Sequence, residues 1–510
     1  MNIRKLALLP VLLTLLLLGG CAEEPPEEGI TEGIASSQEE LPQDTALPAA
    51  FSLPYDPDAV LDPVTCPDGI QQTIGSLLYE GLFELDETLE PQNKLCAAAE
   101  YDAEAMTWTF QLRTDVVFSD GTALTARDAA DTLRRAMDSD RYRARLGCIQ
   151  SVSADGSTLR ITLNRPNAAL PALLDIPIVK SGTERQAVPV GTGPYFLLQD
   201  EAGRCLMASE GWWGGRGQPL RRIELVDCTG SDAARYQFTS HTVQLITADL
   251  TGTSPLSATG RFTVQDADTT VLQYVGVNLQ NPLLARPEVR RALSLGIDRE
   301  AVTGAYLSGH ALPAQFPLSP VSPLYPEELE HSYSLTAFIT AMEEAGLNSG
   351  TERSLTLLVN SENDFKLSVA RYLAAALSVC DLKITVKALP WEEYLAAIAA
   401  GNYDLFYGET RLTADWDLTA LLGSGGSLNH GGYSDVLTDQ LLANCLASGD
   451  RSTAVNTLCA RFQQQSPILP VCFKRTSVLT QSGVVEGLTP TAANPFHGLS
   501  SCVIHLSENS

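Results

Sequence analysis

Residues Tyr79–Met137 read YEGLFELDETLEPQNKLCAAAEYDAEAMTWTFQLRTDVVFSDGTALTARDAADTLRRAM, and the order of elements in this stretch decides the fold. Trp108, Phe110 and Leu112 alternate with Thr107, Thr109 and Gln111, the period-two pattern of a half-buried strand. Asp120-Gly121 supplies a turn. Thr125 then precedes an apolar-periodic run with Asp128 three residues on. This capping box, with Asp in place of the usual Glu, predicts a helix starting at about Ala126.

Upstream, Arg4 and Lys5 precede the apolar run Leu6–Leu18 and then Gly19-Gly20-Cys21. The run is too short for a comfortable membrane span and has the n-region and h-region of a secretory leader. Residues 22–50 hold eight acidic side chains and no Lys or Arg, with several Pro and little that is apolar. Such a segment buries too little surface to order itself and reads as a solvated tether. The body after it is strongly acidic within a formal charge of −27 for the whole chain, which argues against nucleic acid or an anionic membrane surface as partner.

At 510 residues the chain exceeds one ordinary core, so two or three α/β lobes are expected. Apart from Cys21 there are ten cysteines and no C-x-x-C pair, which removes support for a zinc or redox centre. They are either disulfide partners in an exported protein or small buried thiols, and spacing leaves both open.

Downstream, Phe51–Tyr55 reads as a first strand and Asp68–Tyr79 as a helix. Cys148–Ser153 and Thr158–Leu163 form a hairpin around Asp155-Gly156. Gly191-Thr192-Gly193-Pro194-Tyr195 has no phosphate-loop register, and its glycines predict a tight crossing of the chain. Trp212-Trp213, beside Gly214-Gly215, reads as packing under a glycine-rich loop rather than as a stacking platform. Val289, Leu293 and Ile297 mark one helical stripe. Strands at Leu355–Val359, Lys383–Ala388 and Tyr403–Tyr407 alternate with helices at Phe365–Cys380 and Trp391–Ala400, predicting βαβ crossovers and a largely parallel sheet. No G-x-S-x-G or H-E-x-x-H is present, and His241, His310, His331, His430, His497 and His505 stand singly, so neither catalysis nor a metal site is expected.

The sequence LYEGL, then W-x-F-x-L-R, then F-x-D-G-x-x-L-T-A-x-D resembles the signature of the family-5 solute-binding proteins, the peptide receptors of ABC importers. Gly191–Tyr195 and the run Arg286–Arg299 match further motifs of that family, and the resemblance covers residues 51–505. Leu18-Gly19-Gly20-Cys21 is similar to a bacterial lipobox, which implies lipidation of Cys21 and anchorage to the outer face of the cell membrane.

The resemblance implies an α/β, periplasmic-binding-protein-like fold of two α/β lobes joined by a hinge, with an extra subdomain inserted in the first lobe. Its divisions are a lipoprotein signal peptide at 1–20 and an acidic disordered tether at 21–50. Lobe I is then 51–78, 186–270 and 477–510, the inserted subdomain 79–185, and lobe II 271–476. Ligand binding is carried over to the stretch YGETRLTADW: Asp415 as the carboxylate that holds a peptide's α-ammonium, with Trp416, Thr413, Arg411 and Tyr407. The plainer alternative for Asp415 is a cap for a helix beginning near Asp417. The implied partners are a peptide ligand, separate ABC permease and ATPase chains, and the membrane through the lipid anchor, with the protein itself a monomer without cofactor. Rival readings keep the fold but change the solute to a nickel complex, haem or an oligosaccharide, or make the protein a peptide sensor without import.

Overall fold

The computed structural model describes residues 47–507 except 68, 202, 216 and 254–260, so Cys21 and the tether through residue 46 lie outside the described residues. In the first lobe, Ser52–Tyr55 pairs in parallel with Arg222–Asp227, and Gly203–Ala208 and Tyr195–Asp200 continue that sheet antiparallel. The inserted segment builds its own four-stranded antiparallel sheet in the order Cys96–Asp102, Thr107–Leu112, Thr158–Leu163, Ile149–Asp155. Trp108, Phe110 and Leu112 all face its core, as their alternation requires. Helix Ala126–Asp138 begins where the capping box places it: the Asp128 carboxylate accepts from Thr125 N at 2.9 Å. It buries Ala126, Ala129, Ala130, Leu133 and Ala136 against the sheet.

The glycines of the 191–195 run do permit a close crossing. A Cβ on Gly191 would lie 2.1 Å from Leu78 O, and one on Gly193 would lie 2.5 Å from Leu77 O. The Gly193 N–H instead donates to Leu78 O at 2.9 Å, tying the returning chain to the end of helix Ile70–Leu78.

The second lobe is built on most of a seven-stranded sheet that also takes in Leu245–Ala248 of the first. Arg353–Asn360 pairs in parallel with Leu382–Leu389 on one side and with Leu405–Arg411 on the other, and helices Asp364–Leu377 and Trp391–Ala399 make the crossovers. The parallel arrangement stops there. Phe262–Val277 and Ile468–Gln481 run antiparallel to each other, and Phe262–Val277 runs antiparallel to Leu405–Arg411. The expectation of a largely parallel sheet therefore holds only for its three βα-linked strands. Reading consecutive elements reveals local crossovers but not strands that pair across 200 positions.

These two strands, of 16 and 14 residues, are the longest of that sheet. Their first-lobe ends pair with each other, and Leu245–Ala248 adds to Ile468–Gln481 there; their other ends join the second-lobe sheet. Between Asp268 and Leu272 the register slips, and Thr269 Oγ1 donates to Lys474 O at 2.6 Å in place of a ladder bond. Helix Pro287–Leu295 follows, with Val289, Leu293 and Ile297 buried as one stripe. All ten described cysteines are free thiols, and nine of them are buried, which resolves their reading toward small core residues.

Candidate functional site

The site begins with strand Leu405–Arg411. One edge is paired along its length with Val271–Val277, whereas the edge toward Arg353–Asn360 is paired only over Leu405–Tyr407. Among the described residues, the main chain from Gly408 to Arg411 has no strand partner on that edge. Leu412 N and Thr270 Oγ1 bond across to the opposing carbonyls and fix where the strand ends. The loop that follows turns sharply at Trp416, whose φ of 56° is unusual for a bulky residue and whose ring packs edge-on against Phe473.

This turn points Asp415 inward, where only 2% of it remains exposed. Its Oδ1 accepts from Thr413 Oγ1 at 2.5 Å and from Asp417 N at 3.2 Å; its Oδ2 accepts from Asn167 Nδ2 at 2.8 Å. Burial pushes the carboxyl above its ordinary range, and the donors of Thr413 and Asn167 pull it back. The helical turn Thr419–Leu422 is served by Asp417, whose Oδ1 accepts from Thr419 N at 3.0 Å. Of the other residues in the stretch, Arg411 is exposed and Thr413 half-buried. Tyr407 is enclosed in the core, with its hydroxyl donating to Gln273 Oε1 at 2.6 Å.

Asn167 comes from the inserted segment and is itself fully buried. Trp108 Nε1 donates to its carbonyl at 2.9 Å, and Ala169 N donates to its Oδ1 at 2.9 Å. Both bonds set the amide so that its N–H points at Asp415, making it an oriented donor rather than a mobile one. Arg165 pairs with Asp417 at 2.8 Å, and Ala168 N donates to Leu446 O at 2.8 Å. On the far side Arg451 Nη2 donates to Asp415 O at 2.5 Å.

A cavity of about 470 Å³ opens among the first lobe, the inserted segment and the chain's last turn. Three acidic side chains, Glu80, Glu84 and Asp175, and three basic ones, Lys94, Arg141 and Arg145, line it. Lys94 Nζ lies 3.0 Å from Glu84 and 3.8 Å from Glu80, and Arg145 is paired with Asp175. Glu80 Oε2 accepts from Thr192 Oγ1 at 3.0 Å and from Trp213 Nε1 at 2.7 Å, yet burial pushes its carboxyl up to about 7. Arg145, on the cavity wall, lies within electrostatic reach of Asp415 and Arg411.

The two tryptophans divide. Trp213 packs against the inserted core under the Arg113 guanidinium, 4.5 Å from its ring, whereas Trp212 lines the cavity. The packing reading fits both: Trp213 lies against the inserted core, and the Trp212 ring, besides lining the cavity, lies so close under the glycine loop that a Cβ on Gly214 would come within 2.2 Å of it. Sequence reasoning missed Asn167 and the cavity's charged lining. Its one available signal was Glu80, an acid set between apolar neighbours in LYEGL. No group of three or more His, Cys, Asp or Glu among the described residues could hold a metal.

Residues 90–429 match the family described as bacterial extracellular solute-binding proteins, family 5 Middle. The chain belongs to that family. It is accordingly a solute-binding protein of the ABC-importer type, and its family binds solutes rather than transforming them. The glutathione-binding protein GsiB of Pectobacterium atrosepticum is 26% identical over 429 residues, covering 77% of this chain and 81% of the relative. Two solved structures share the fold. The ABC transporter substrate-binding protein CtaP of Listeria monocytogenes has a TM-score of 0.72 at 19% identity, covering 90% of this chain and 99% of that one. A nickel ABC transporter structure from Bacillus halodurans has a TM-score of 0.73 at 20% identity, covering 89% and 99%. No described helix is long and apolar enough to cross a membrane.

Proposed function

We propose that this solute-binding protein takes up short zwitterionic peptides between its lobes and delivers them to a separate ABC permease and ATPase, tethered to the outer face of the membrane by lipid on Cys21. One observation carries the reading: a cavity of about 470 Å³ in the first lobe and inserted segment is lined by three acidic and three basic side chains. That volume lies in the range of small-molecule pockets, roughly 300–1,000 Å³. Charges of both signs suit a ligand that carries an ammonium and a carboxylate. The named ligand of the GsiB relative, glutathione, is such a molecule.

In this reading the lobes part at the register break near Asp268, and the ligand ammonium takes the place of Asn167 Nδ2 at Asp415 in a charge-assisted hydrogen bond. The edge at Gly408–Arg411 pairs with the ligand's main chain, giving affinity without selecting side chains. Arg411 and Thr413 flank the ligand, while Trp416 and Tyr407 hold the strand and loop in place from behind. The protein acts as a monomer.

Calorimetry with glutathione, an unmodified tripeptide and a nickel–histidine complex tests the ligand class. Binding of the peptides and not of the metal complex is expected, and the reverse order overturns the reading. Cys21→Ser should release the folded protein from the membrane fraction; retention there removes the lipid anchor from the proposal.

A further inference from the structure

We infer that the turn Asp86–Glu90 of the inserted segment is a clasp that closes onto the second lobe, with Leu89 as its apolar anchor. The turn links the antiparallel pair Phe83–Leu85 and Pro91–Asn93. Asp86 organises it: its Oδ1 accepts from Thr88 N at 2.9 Å, Thr88 Oγ1 at 2.7 Å and Glu90 N at 3.0 Å, and its carbonyl accepts from Leu89 N at 3.0 Å. Leu89 sits in this turn with φ 65°, a left-handed conformation that glycine or asparagine adopts readily and a bulky residue does not.

The tip of a hairpin is ordinarily polar and wet. Leu89 is instead 3% exposed. It belongs to an apolar core whose other buried members all fall within residues 272–473, Trp416 and Phe473 among them. Among the described residues, Leu89 is thus the one member of the inserted segment in that core. Its neighbour Glu90 lies within electrostatic reach of Arg451, whose guanidinium holds Asp415 O, which places the entry point near the Asp415 loop. The Arg165–Asp417 pair and the Ala168–Leu446 hydrogen bond join the same two bodies from a second loop.

These contacts differ in what they become when the lobes part. The polar groups of Arg165, Asp417 and Ala168 exchange their partners for water at little net change. Leu89 has no such exchange: apart from the second lobe it would keep an unfavourable backbone and expose its side chain. Its burial is therefore realised only in the closed arrangement, and it biases the equilibrium between open and closed forms. The inference concerns closure alone and does not depend on which solute is carried or on the role of Asp415.

The test is a distance measurement between the lobes by pulsed electron spin resonance. One label goes on Cys380, the exposed native thiol, and the other on a cysteine replacing Arg127, whose side chain is 80% exposed on the inserted segment. Leu89→Gly keeps the turn and suits its φ but removes the anchor; Leu89→Asp adds a charge where the anchor was. Both should move the distribution to longer distances, Asp more than Gly, while Leu89→Met keeps the parent distribution. Thermal melts identify any variant that fails to fold, in which case Leu89→Gly carries the test. A Leu89→Gly distribution matching the parent's overturns the clasp and makes Leu89 a turn residue only.

Discussion

Asn167 Nδ2 donates to Asp415 Oδ2 at 2.8 Å, joining two fully buried side chains 248 positions apart. Because Asn167 is fixed by Trp108 and by Ala169 N, the contact can be inverted in sign without redesigning its geometry. Asn167→Asp would set a second carboxylate against Asp415 in a buried setting. Two such groups do not ionise together, so one proton is shared or the surfaces separate. The expected outcome is a larger radius of gyration at pH 8 by small-angle scattering that returns to the parent value as the pH falls toward 5. An unchanged radius at pH 8 would show that other contacts hold the lobes together.

Glu80 gives a pH dependence with a definite sign. Its carboxyl titrates at about 7 in the folded protein against an ordinary 4.5, chiefly because it is buried, with Lys94 pulling the other way. The native state therefore binds this proton more tightly than the unfolded chain. The stability it contributes is complete below about pH 4.5 and is lost as pH rises through about 7. Glu80→Gln imitates the protonated form, and its amide oxygen can still accept from Thr192 and Trp213. The variant should lose less stability than the parent between pH 5 and pH 8, by about 1–3 kcal/mol in denaturant titrations. Parallel pH profiles for the two proteins would show that Glu80 is ionised throughout.

What was legible in the sequence was local. The strand at Trp108–Leu112, the helix start at Thr125 and the stripe Val289–Leu293–Ile297 each depend on neighbours a few positions away, and all three stand as read. Asp415 was reached through a resemblance, and its burial and its partner Asn167 were not legible, since nothing near residue 167 speaks of residue 415. The antiparallel run of Phe262–Val277 beside Ile468–Gln481 was hidden for the same reason. Leu89 illustrates the limit differently. In the string DETLE it is an unremarked turn residue, and only its φ and its burial in the other lobe's core give it a role.

The crossing at Gly191 makes a steric prediction. A methyl group there would lie 2.1 Å from Leu78 O and 2.4 Å from the Tyr79 ring, and the first of these is backbone that cannot turn aside. Gly191→Ala should destabilise the protein by about 2–3 kcal/mol, the upper part of the usual overpacking range. Gly211→Ala is the matched control, with nothing within 4 Å of its would-be Cβ, and should lie within about 0.5 kcal/mol of the parent. Equal melting points for the two variants would mean that the crossing is looser than its contacts imply.

The last prediction isolates Asp415 as a ligand contact. If its carboxylate holds an α-ammonium out of water, Asp415→Asn keeps the shape and the acceptor for Thr413 but removes the charge. Leaving the ammonium without its counter-charge should weaken binding of an unmodified tripeptide by about 2–5 kcal/mol, the range for breaking a buried charged pair at an interface. The N-acetylated tripeptide has no ammonium, so it should bind the parent weakly and lose little more in the variant. Calorimetry on the four combinations closes a double-mutant cycle, whose coupling term separates this pair from general damage to the loop. The loop is a real concern, because Asp415 Oδ1 also receives Asp417 N and Thr413 Oγ1, and its loss could unsettle the turn at Trp416. Such damage lowers both peptides' affinities alike and leaves the coupling near zero. A coupling near zero would therefore assign Asp415 to holding its own loop and Asn167, and would move the ammonium site toward the acidic side chains of the cavity.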